Sequence, residues 1–267
     1  MMRFHSTNRS RGLTLLELVI VLTILVAVAG VAVAMFPRLL TRAHVASCSA
    51  NIPEIFKAIQ MYDSVSLDGY PDRVDTMIVS GDLADYVPAG VQAELDVDDL
   101  TEDEAAALVD AGIRQVTVMI ANPEQPTFWP YDEPAQYEDV DTGTTVAFLQ
   151  PEVAQRLGLT SDGEERFVVF GLGTPCRMFG RTMNEAPAHF SDAADGNPTQ
   201  QYMRFAAVYQ VGGRVETDPG PPAVYEYDTF PRARLRGVLA IHPSGLEGLA
   251  GHAEEYWAEV EMETTQE

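Results

Sequence analysis

The sequence predicts an α+β fold, in which a long, kinked amino-terminal helix packs on an antiparallel sheet and an added helix closes the carboxyl end. Three observations support this class. An apolar run lies near the amino terminus, a helical spacing of apolar residues continues beyond it, and β-branched segments separated by glycine and proline follow. With 267 residues, the chain is long enough for one sizeable core, or two small ones, behind the first helix.

The first element is the apolar run Leu13–Phe36, which follows a basic leader at residues 1–12. Because about 20 apolar residues suffice to cross a bilayer as a helix, residues 13–36 are predicted to be a transmembrane helix. Glu17 interrupts the run. A carboxylate costs roughly 2.5–3.5 kcal/mol at the bilayer centre and less near the end of a span, and the span holds no Lys or Arg within reach. Glu17 is therefore predicted to meet a partner from another copy of the chain or from a newly created amino terminus.

The helical spacing continues over residues 37–66, which extends the first helix beyond the span. Apolar residues recur there at intervals of three and four on one side: Leu39, Leu40, Val45, Ile52, Ile55, Phe56, Ile59 and Met61. Pro37 and Pro53 lie inside this pattern. Each removes a backbone donor, so both are predicted to kink or loosen the helix.

The later elements are predicted from alternation, capping residues and breakers. Thr101 with Glu104 forms a capping-box pattern, which opens a helix that Gly112 ends. Residues 72–86 are predicted to form one or two short helical turns, residues 151–157 a short helix, and residues 246–260 the closing helix. Residues 122–136 and 178–198 are predicted to be loops. Strands are predicted at residues 114–120, 144–149, 166–170, 202–211, 223–227 and 234–241.

The segment Arg11-Gly12-Leu13-Thr14-Leu15-Leu16-Glu17 resembles the class III signal of type IV pilins and type II secretion pseudopilins. The resemblance implies that a membrane protease cuts after Gly12, that Leu13 becomes the N-methylated terminus, and that Glu17 guides assembly. Leu13 stands where phenylalanine is usual in that family. A pilin-like fold is implied, in which the first half of the long helix packs against sister helices and the second half packs on the domain's own sheet.

The same resemblance implies partners and a location. The partners are the prepilin peptidase and methylase, other pilin or pseudopilin subunits, and an inner-membrane assembly platform. The chain is expected to cross the inner membrane once, with its leader in the cytoplasm. Residues 67–267 are then expected to form a soluble extracytoplasmic domain in the periplasm or at the cell exterior.

The charge balance is strongly acidic, with 17 Lys+Arg against 40 Asp+Glu and a formal net charge of −23. Nucleic acid and anionic lipid require basic patches, so neither is expected as a partner. The oxygen-rich segments Asp96–Asp99 and Asp192–Asn197 could hold Ca²⁺, which takes about six to eight oxygen ligands. A solvated acidic loop is the favoured interpretation of both, and no cofactor or metal is predicted.

The two cysteines, Cys48 and Cys176, have no metal-ligand spacing. Outside the cytoplasm they could pair and close a loop of about 128 residues, which in the chain-entropy model stabilises by roughly 4–5 kcal/mol. Two separate thiols are the favoured alternative.

Basic residues beyond the first helix are concentrated at Arg232, Arg234 and Arg236, whose spacing of two puts them on one strand face. They form either intramolecular ion pairs or a contact surface for an acidic face of the next subunit.

No catalytic motif emerges from the sequence. Gly171-Leu172-Gly173 is typical of a turn, and the surroundings of Ser244 lack the glycine spacing of a nucleophile elbow. The histidines have no metal-helix spacing, and His242 and His252 are interpreted as polar residues at the edge of the core. The chain is therefore predicted not to be an enzyme. The alternative to a filament subunit is an uncleaved, bitopic, membrane-anchored binding module, which predicts an intact leader and indifference to changes at Glu17.

Overall fold

A computed structural model describes residues 15–66, 69–128, 135–160, 164–189, 196–218 and 224–251. The helices are α1 Leu15–Val65, α2 Ala89–Gln92, α3 Glu102–Asp110 and α4 Pro151–Arg156. The strands are β1 Val74–Asp75, β2 Ile78–Val79, β3 Asp82–Leu83, β4 Leu95–Asp99, β5 Gln115–Thr117, β6 Tyr137–Asp139, β7 Thr145–Leu149, β8 Arg166–Gly171, β9 Phe205–Asp218, β10 Val224–His242 and β11 Gly245–Glu247. The chain divides into two units, Met1–Ala43 and His44–Glu267.

Within the second unit, α1 buries one face against the sheet. Its buried residues recur at intervals of three and four: Cys48, Ile52, Ile55, Ile59 and Tyr62. Complete burial of an isoleucine stabilises by about 1.5–3 kcal/mol, so Ile55 and Ile59 together offset the roughly 3 kcal/mol that Pro53 costs inside a helix. The predicted amino-terminal helix is thus confirmed, whereas the kink at Pro37 and Pro53 stays a prediction.

Nine of the described strands form one sheet, and β2 pairs with β3 apart from it. The order is β11-β10-β9-β8-β1-β5-β6, and β4 joins through β7, which also pairs with β8. The pairing of β1 with β5, which sets Val74 opposite Val116, is parallel. The other strand pairs described are antiparallel. The α+β class with a mostly antiparallel sheet is therefore confirmed.

Both faces of this sheet are buried, which explains the continuous apolar runs in its central strands. On β8, Val168 and Phe170 join the core cluster that contains the buried face of α1 and residues of α3. The alternate residues Phe167 and Val169 join a second cluster, which contains residues of α2, α4 and the β2–β3 pair. The side-chain period of two thus divides one hydrophobic strand between two cores.

Several elements follow their sequence signals. Thr101 Oγ1 accepts a hydrogen bond from the N–H of Glu104, and the Glu104 carboxylate accepts one from the N–H of Thr101, so the capping box at the start of α3 is confirmed. Gly112, with φ of +108°, follows the helix, a conformation that glycine adopts without steric cost. The predicted strands correspond to β5, β7, β8, β9 and β10.

The prediction of short helical turns at residues 72–86 is wrong. This segment forms β1, β2 and β3. Arg73, Met77 and Ser80 adopt positive φ angles of 55–62°, a left-handed conformation that interrupts helix formation. Pairing of β1 between β8 and β5 therefore overrides the local preference of the segment.

The prediction that the closing helix starts at residue 246 is also wrong. Residues Gly245–Glu247 form β11, which folds back antiparallel on the end of β10 and sets Gly245 opposite His242. The pairing satisfies backbone groups that a helix would otherwise use, and Gly245 has a φ of +142°. Residues 252–260 of the predicted helix lie outside the described residues.

The strands predicted at 223–227 and 234–241 merge into β10. Pro231 lies inside a register shift of this strand, where a missing N–H is tolerated.

Candidate functional sites: the apolar helix and a buried Cys–His cluster

The amino-terminal part of α1 presents apolar side chains all around the helix. Residues 15–30 are all exposed, and the large apolar side chains among them expose from 49% of their surface at Val21 to 82% at Leu15. The hydroxyl of Thr23 donates to the carbonyl of Val19 at 2.7 Å, which satisfies it within the helix. A helix that is apolar on every side requires an apolar environment or other helices around it.

Glu17 lies in the first turn of α1 and is exposed among these apolar side chains. Gly12 and Leu13, the predicted cleavage and methylation residues, lie outside the described residues. Over the part of the chain that the structure describes, no helix combines the length and apolar character of a membrane span.

A second site is formed by Cys48, His189 and His242, which come together in the core of the second unit. Cys48 Sγ lies 2.7 Å from His189 Nδ1, and the rings of His189 and His242 have centroids 4.0 Å apart. One donor atom from each of the three residues lies within 4.8 Å of the other two. All three side chains are buried, with 2%, 2% and 7% exposure respectively. Two imidazoles and a thiol thus share a site with little access to water.

The strand register explains how distant segments meet in this cluster. Cys48 lies on the packed face of α1. His189 is held beside the start of β9 by its N–H, which donates to the carbonyl of Met203 at 2.8 Å, and its ring meets the edge of Phe205. His242 ends β10, and its Nε2 lies 3.7 Å from Oε2 of Glu247 on β11. The interpretation of His242 as a polar edge residue missed this cluster, because no two members are close in sequence.

The two cysteines are not joined by a disulfide, so the pairing of Cys48 with Cys176 that the sequence left open is not formed. Both are buried thiols. Burial raises the pKa of the Cys176 thiol to about 12, and the negative charges of Asp75 and Asp72 add to this while a backbone hydrogen bond from Met178 opposes it. Cys176 is therefore a protonated core residue at neutral pH.

The acidic segment Asp96–Asp99 belongs to β4, and its carboxylates reach different neighbours. Asp96 accepts a hydrogen bond from Gln150, Asp98 pairs with Arg166 at 3.1 Å, and Asp99 accepts one from Thr145. These contacts spread the oxygens along the strand, so this geometry adds no support to the calcium alternative that the sequence left open. Residues 190–195, which include most of the second acidic segment, lie outside the described residues.

Arg232, Arg234 and Arg236 are exposed on one face of β10, and each has an intramolecular contact. Arg232 pairs with Asp63 of α1 at 2.6 Å, Arg234 lies over the ring of Phe230, and Arg236 donates to the carbonyl of Leu159. Among these contacts the one at Arg232 is an ion pair, so the interpretation of the triplet as intramolecular ion pairs is supported for Arg232. Nearby, a groove of about 840 Å³ is lined by apolar residues that include Ile52, Phe56, Leu157, Leu239 and Leu249.

The comparisons with known proteins concern the amino terminus. The family model of the prokaryotic N-terminal methylation motif matches residues 7–33, about a tenth of the chain. No curated protein and no solved structure matches the chain. The motif marks type IV pilin-like proteins, which are structural subunits and not enzymes, and it implies processing by a prepilin peptidase and assembly with other pilin subunits. The chain thus carries the amino-terminal signal of a type IV pilin-like protein.

Proposed function

We propose that the chain is a structural subunit, a pilin or pseudopilin, of a type II secretion pseudopilus or a type IV pilus-like filament. The observation that carries the proposal is the methylation motif at residues 7–33, which overlaps an exposed apolar helix that contains the carboxylate of Glu17. Before assembly, residues 13–36 anchor the subunit in the inner membrane. The second unit then lies in the periplasm or at the cell exterior.

In this proposal, assembly exchanges lipid around the apolar helix for sister helices. Cleavage after Gly12 creates an amine at Leu13, four residues before Glu17 in the sequence. A lone carboxylate in an apolar environment costs several kcal/mol, and an amine from a neighbouring subunit neutralises it with opposite charge. Glu17 therefore selects the subunit register in which its partner is present. The inner-membrane platform would hold the incoming subunit at this step.

The first test is the mass of the mature chain. The full chain is expressed with a prepilin peptidase, extracted from the membrane fraction and measured by intact-protein mass spectrometry. The expected mass corresponds to a chain that begins at Leu13 and carries one methyl group. A chain that retains residues 1–12 in the presence of an active peptidase would contradict the proposal.

The second test separates assembly from membrane insertion. Glu17→Ala is expected to leave membrane insertion intact, since it makes the segment more apolar, and to reduce crosslinked oligomers severalfold. Thr23→Ala is the matched control, because Thr23 is another exposed polar residue of the same helix whose hydroxyl is satisfied internally. Oligomer yields that are equal for wild type and Glu17→Ala would argue against a role for the carboxylate.

The alternative function is an uncleaved, membrane-anchored binding module, and the groove between α1 and the end of β10 favours it. Its volume of about 840 Å³ falls within the range of ligand pockets, about 300–1,000 Å³. This alternative predicts an intact leader and unchanged behaviour of Glu17→Ala. Both tests above therefore discriminate between the two functions.

A further inference from the structure

We infer that Cys48, His189 and His242 form a binding site for a divalent transition-metal ion, and that Zn²⁺ is the ion it suits best. Thiolate sulfur and imidazole nitrogen are preferred zinc ligands, and here one sulfur and two rings converge within 4.8 Å. The three ligands come from α1, from the segment before β9 and from the end of β10. The inference is independent of the proposed filament role, which depends on the first 33 residues.

The distances are close to those of a tetrahedral site. Zinc–sulfur and zinc–nitrogen bonds of about 2.3 and 2.0 Å place two such ligand atoms about 3.5 Å apart at a tetrahedral angle. The ligand atoms of the cluster all lie within 4.8 Å of one another, and Cys48 Sγ and His189 Nδ1, at 2.7 Å, are closer together than in a tetrahedral site. Side-chain rotations that move ligand atoms by about an ångström would therefore complete the site without a change of fold.

Glu247 supplies the outer support that such sites commonly have. Metal-bound histidines usually donate their second ring N–H to a carboxylate or carbonyl, which fixes the ring orientation. Glu247 Oε2 lies 3.7 Å from Nε2 of His242, which is beyond hydrogen-bond distance. A small shift of either side chain would let Nε2–H donate to the carboxylate and leave Nδ1 for the metal. A water molecule or another small ligand would take the fourth position.

Charge also balances at this site. On binding, the Cys48 thiol loses its proton to solvent and a sulfur–zinc bond forms, while both imidazoles remain neutral and no electron is transferred. The Zn²⁺ ion, one thiolate and the Glu247 carboxylate then sum to zero. A neutral assembly is one that a buried site can hold without a large desolvation cost.

The competing interpretation is that the cluster is ordinary core packing. Three apolar side chains would fill this space without the cost of burying polar groups, so packing alone gives no reason for two imidazoles and a thiol. A metal ion instead would join α1 to two other segments of the second unit. It would therefore stabilise the attachment of the helix to the domain.

The test uses the full chain in detergent, stripped with a chelator and then titrated with ZnCl₂. Wild type is expected to bind about one zinc per chain and to melt at a higher temperature with zinc than without it. Cys176→Ala is the matched control, because it removes a buried thiol outside the cluster, and it should behave as wild type. Cys48→Ala and His242→Ala should lose the binding and the thermal shift. Glu247→Gln should weaken affinity about 10- to 100-fold.

Cobalt substitution keeps the test decisive if the cluster variants fail to fold. Co²⁺ added to wild type or Cys176→Ala should give the visible and near-ultraviolet absorption of tetrahedral cobalt bound to a thiolate. Zinc uptake by wild type that is no greater than by a folded Cys48→Ala would overturn the inference. The zinc assignment would be overturned if wild type showed no cobalt–thiolate absorption. It would also be overturned if wild type took up copper but no zinc.

Discussion

The phenolic hydroxyl of Tyr202 donates a hydrogen bond of 2.6 Å to Oδ2 of Asp75 in the interior of the sheet. Burial raises the pKa of Asp75 to about 6, although this hydrogen bond and the positive charge of Arg204 oppose the shift. Two glycines leave room for the pair. A Cβ at Gly171 would overlap the Tyr202 hydroxyl, and a Cβ at Gly173 would overlap the Asp75 carboxylate. The Gly-Leu-Gly sequence is therefore explained by packing and not by ligand binding.

Asp75→Asn is expected to change the pH dependence of stability. Because the pKa is raised from 3.8 to about 6 in the folded state, the folded chain holds this proton more tightly than the unfolded chain does. The stabilising contribution of Asp75 is thus fully present below about pH 3.8 and is lost as pH rises through about 6. A pKa difference of about 2 between the folded and unfolded states corresponds to about 3 kcal/mol in the free energy of unfolding. The variant should gain up to that amount at pH 7–8 and little at pH 4.

Urea denaturation of the full chain in detergent at pH 4 to 8 measures this effect. Asp85→Asn is the matched control, because it removes an exposed carboxylate from the same region of the chain. Parallel stability profiles for wild type and Asp75→Asn over this pH range would show that the carboxylate titrates alike in both states.

Gly173→Ala is expected to destabilise the fold by about 1–3 kcal/mol, since its Cβ would overlap the carboxylate of Asp75. Gly237→Ala is the control, because a Cβ there would make an ordinary contact of 3.6 Å with Leu159. Thermal unfolding followed by circular dichroism compares the two. Equal melting temperatures for both variants would refute the packing explanation of Gly173.

Glu104→Ala is expected to destabilise the second unit by about 2 kcal/mol, because it removes the capping box and a buried acceptor together. The Glu104 side chain also lies 3.2 Å from Arg166 Nε. Glu104→Gln keeps an acceptor for the Thr101 N–H and should lose less than half as much stability. Glu102→Ala changes an exposed residue of the same turn and serves as the control. Chemical denaturation gives the order, and a Gln variant as unstable as the Ala variant would assign the loss to the ion pair.

The pair formed by Arg232 and Asp63 is expected to contribute no more than about 1 kcal/mol, because both side chains are partly exposed and solvent screens their charges. A double-mutant cycle with Arg232→Gln and Asp63→Asn measures the coupling energy.

Changing Arg232, Arg234 and Arg236 together to Gln should leave the chain folded. If the triple variant self-associates more weakly than wild type at low salt, and this difference shrinks at high salt, the three arginines also contact another copy of the chain.

The elements that were predicted correctly have local causes. The capping box at Thr101 and Glu104 is contained within four residues, and the continuous apolar run of β8 lies within one strand whose two faces are both buried. The segment around Asp75 was mistaken for helical turns because its conformation depends on pairing with β5 and β8, which lie far along the chain. A local pattern carries no information about such partners.

The same distinction applies to the sites. Glu17 was found from sequence because a lone carboxylate in an apolar run is anomalous by itself. The Cys–His cluster was missed because Cys48 and His189 are separated by 141 positions, and each looks like an ordinary core residue in its own segment. Only the register of β9 and β10, together with the packing of α1, brings them into contact.

The central position of β1 has a consequence for how the chain folds. This two-residue strand lies between β8 and β5, with Asp75 opposite Gly171 and Val74 opposite Val116, so the middle of the sheet closes through loops of about 40 and 100 residues. Sheets built from such distant pairings fold slowly compared with helices. The first helix can form as soon as its residues are synthesised, whereas the surface on which it packs appears only after much of the chain has followed. The chain is therefore expected to pass through a long-lived state with a finished helix and an open sheet.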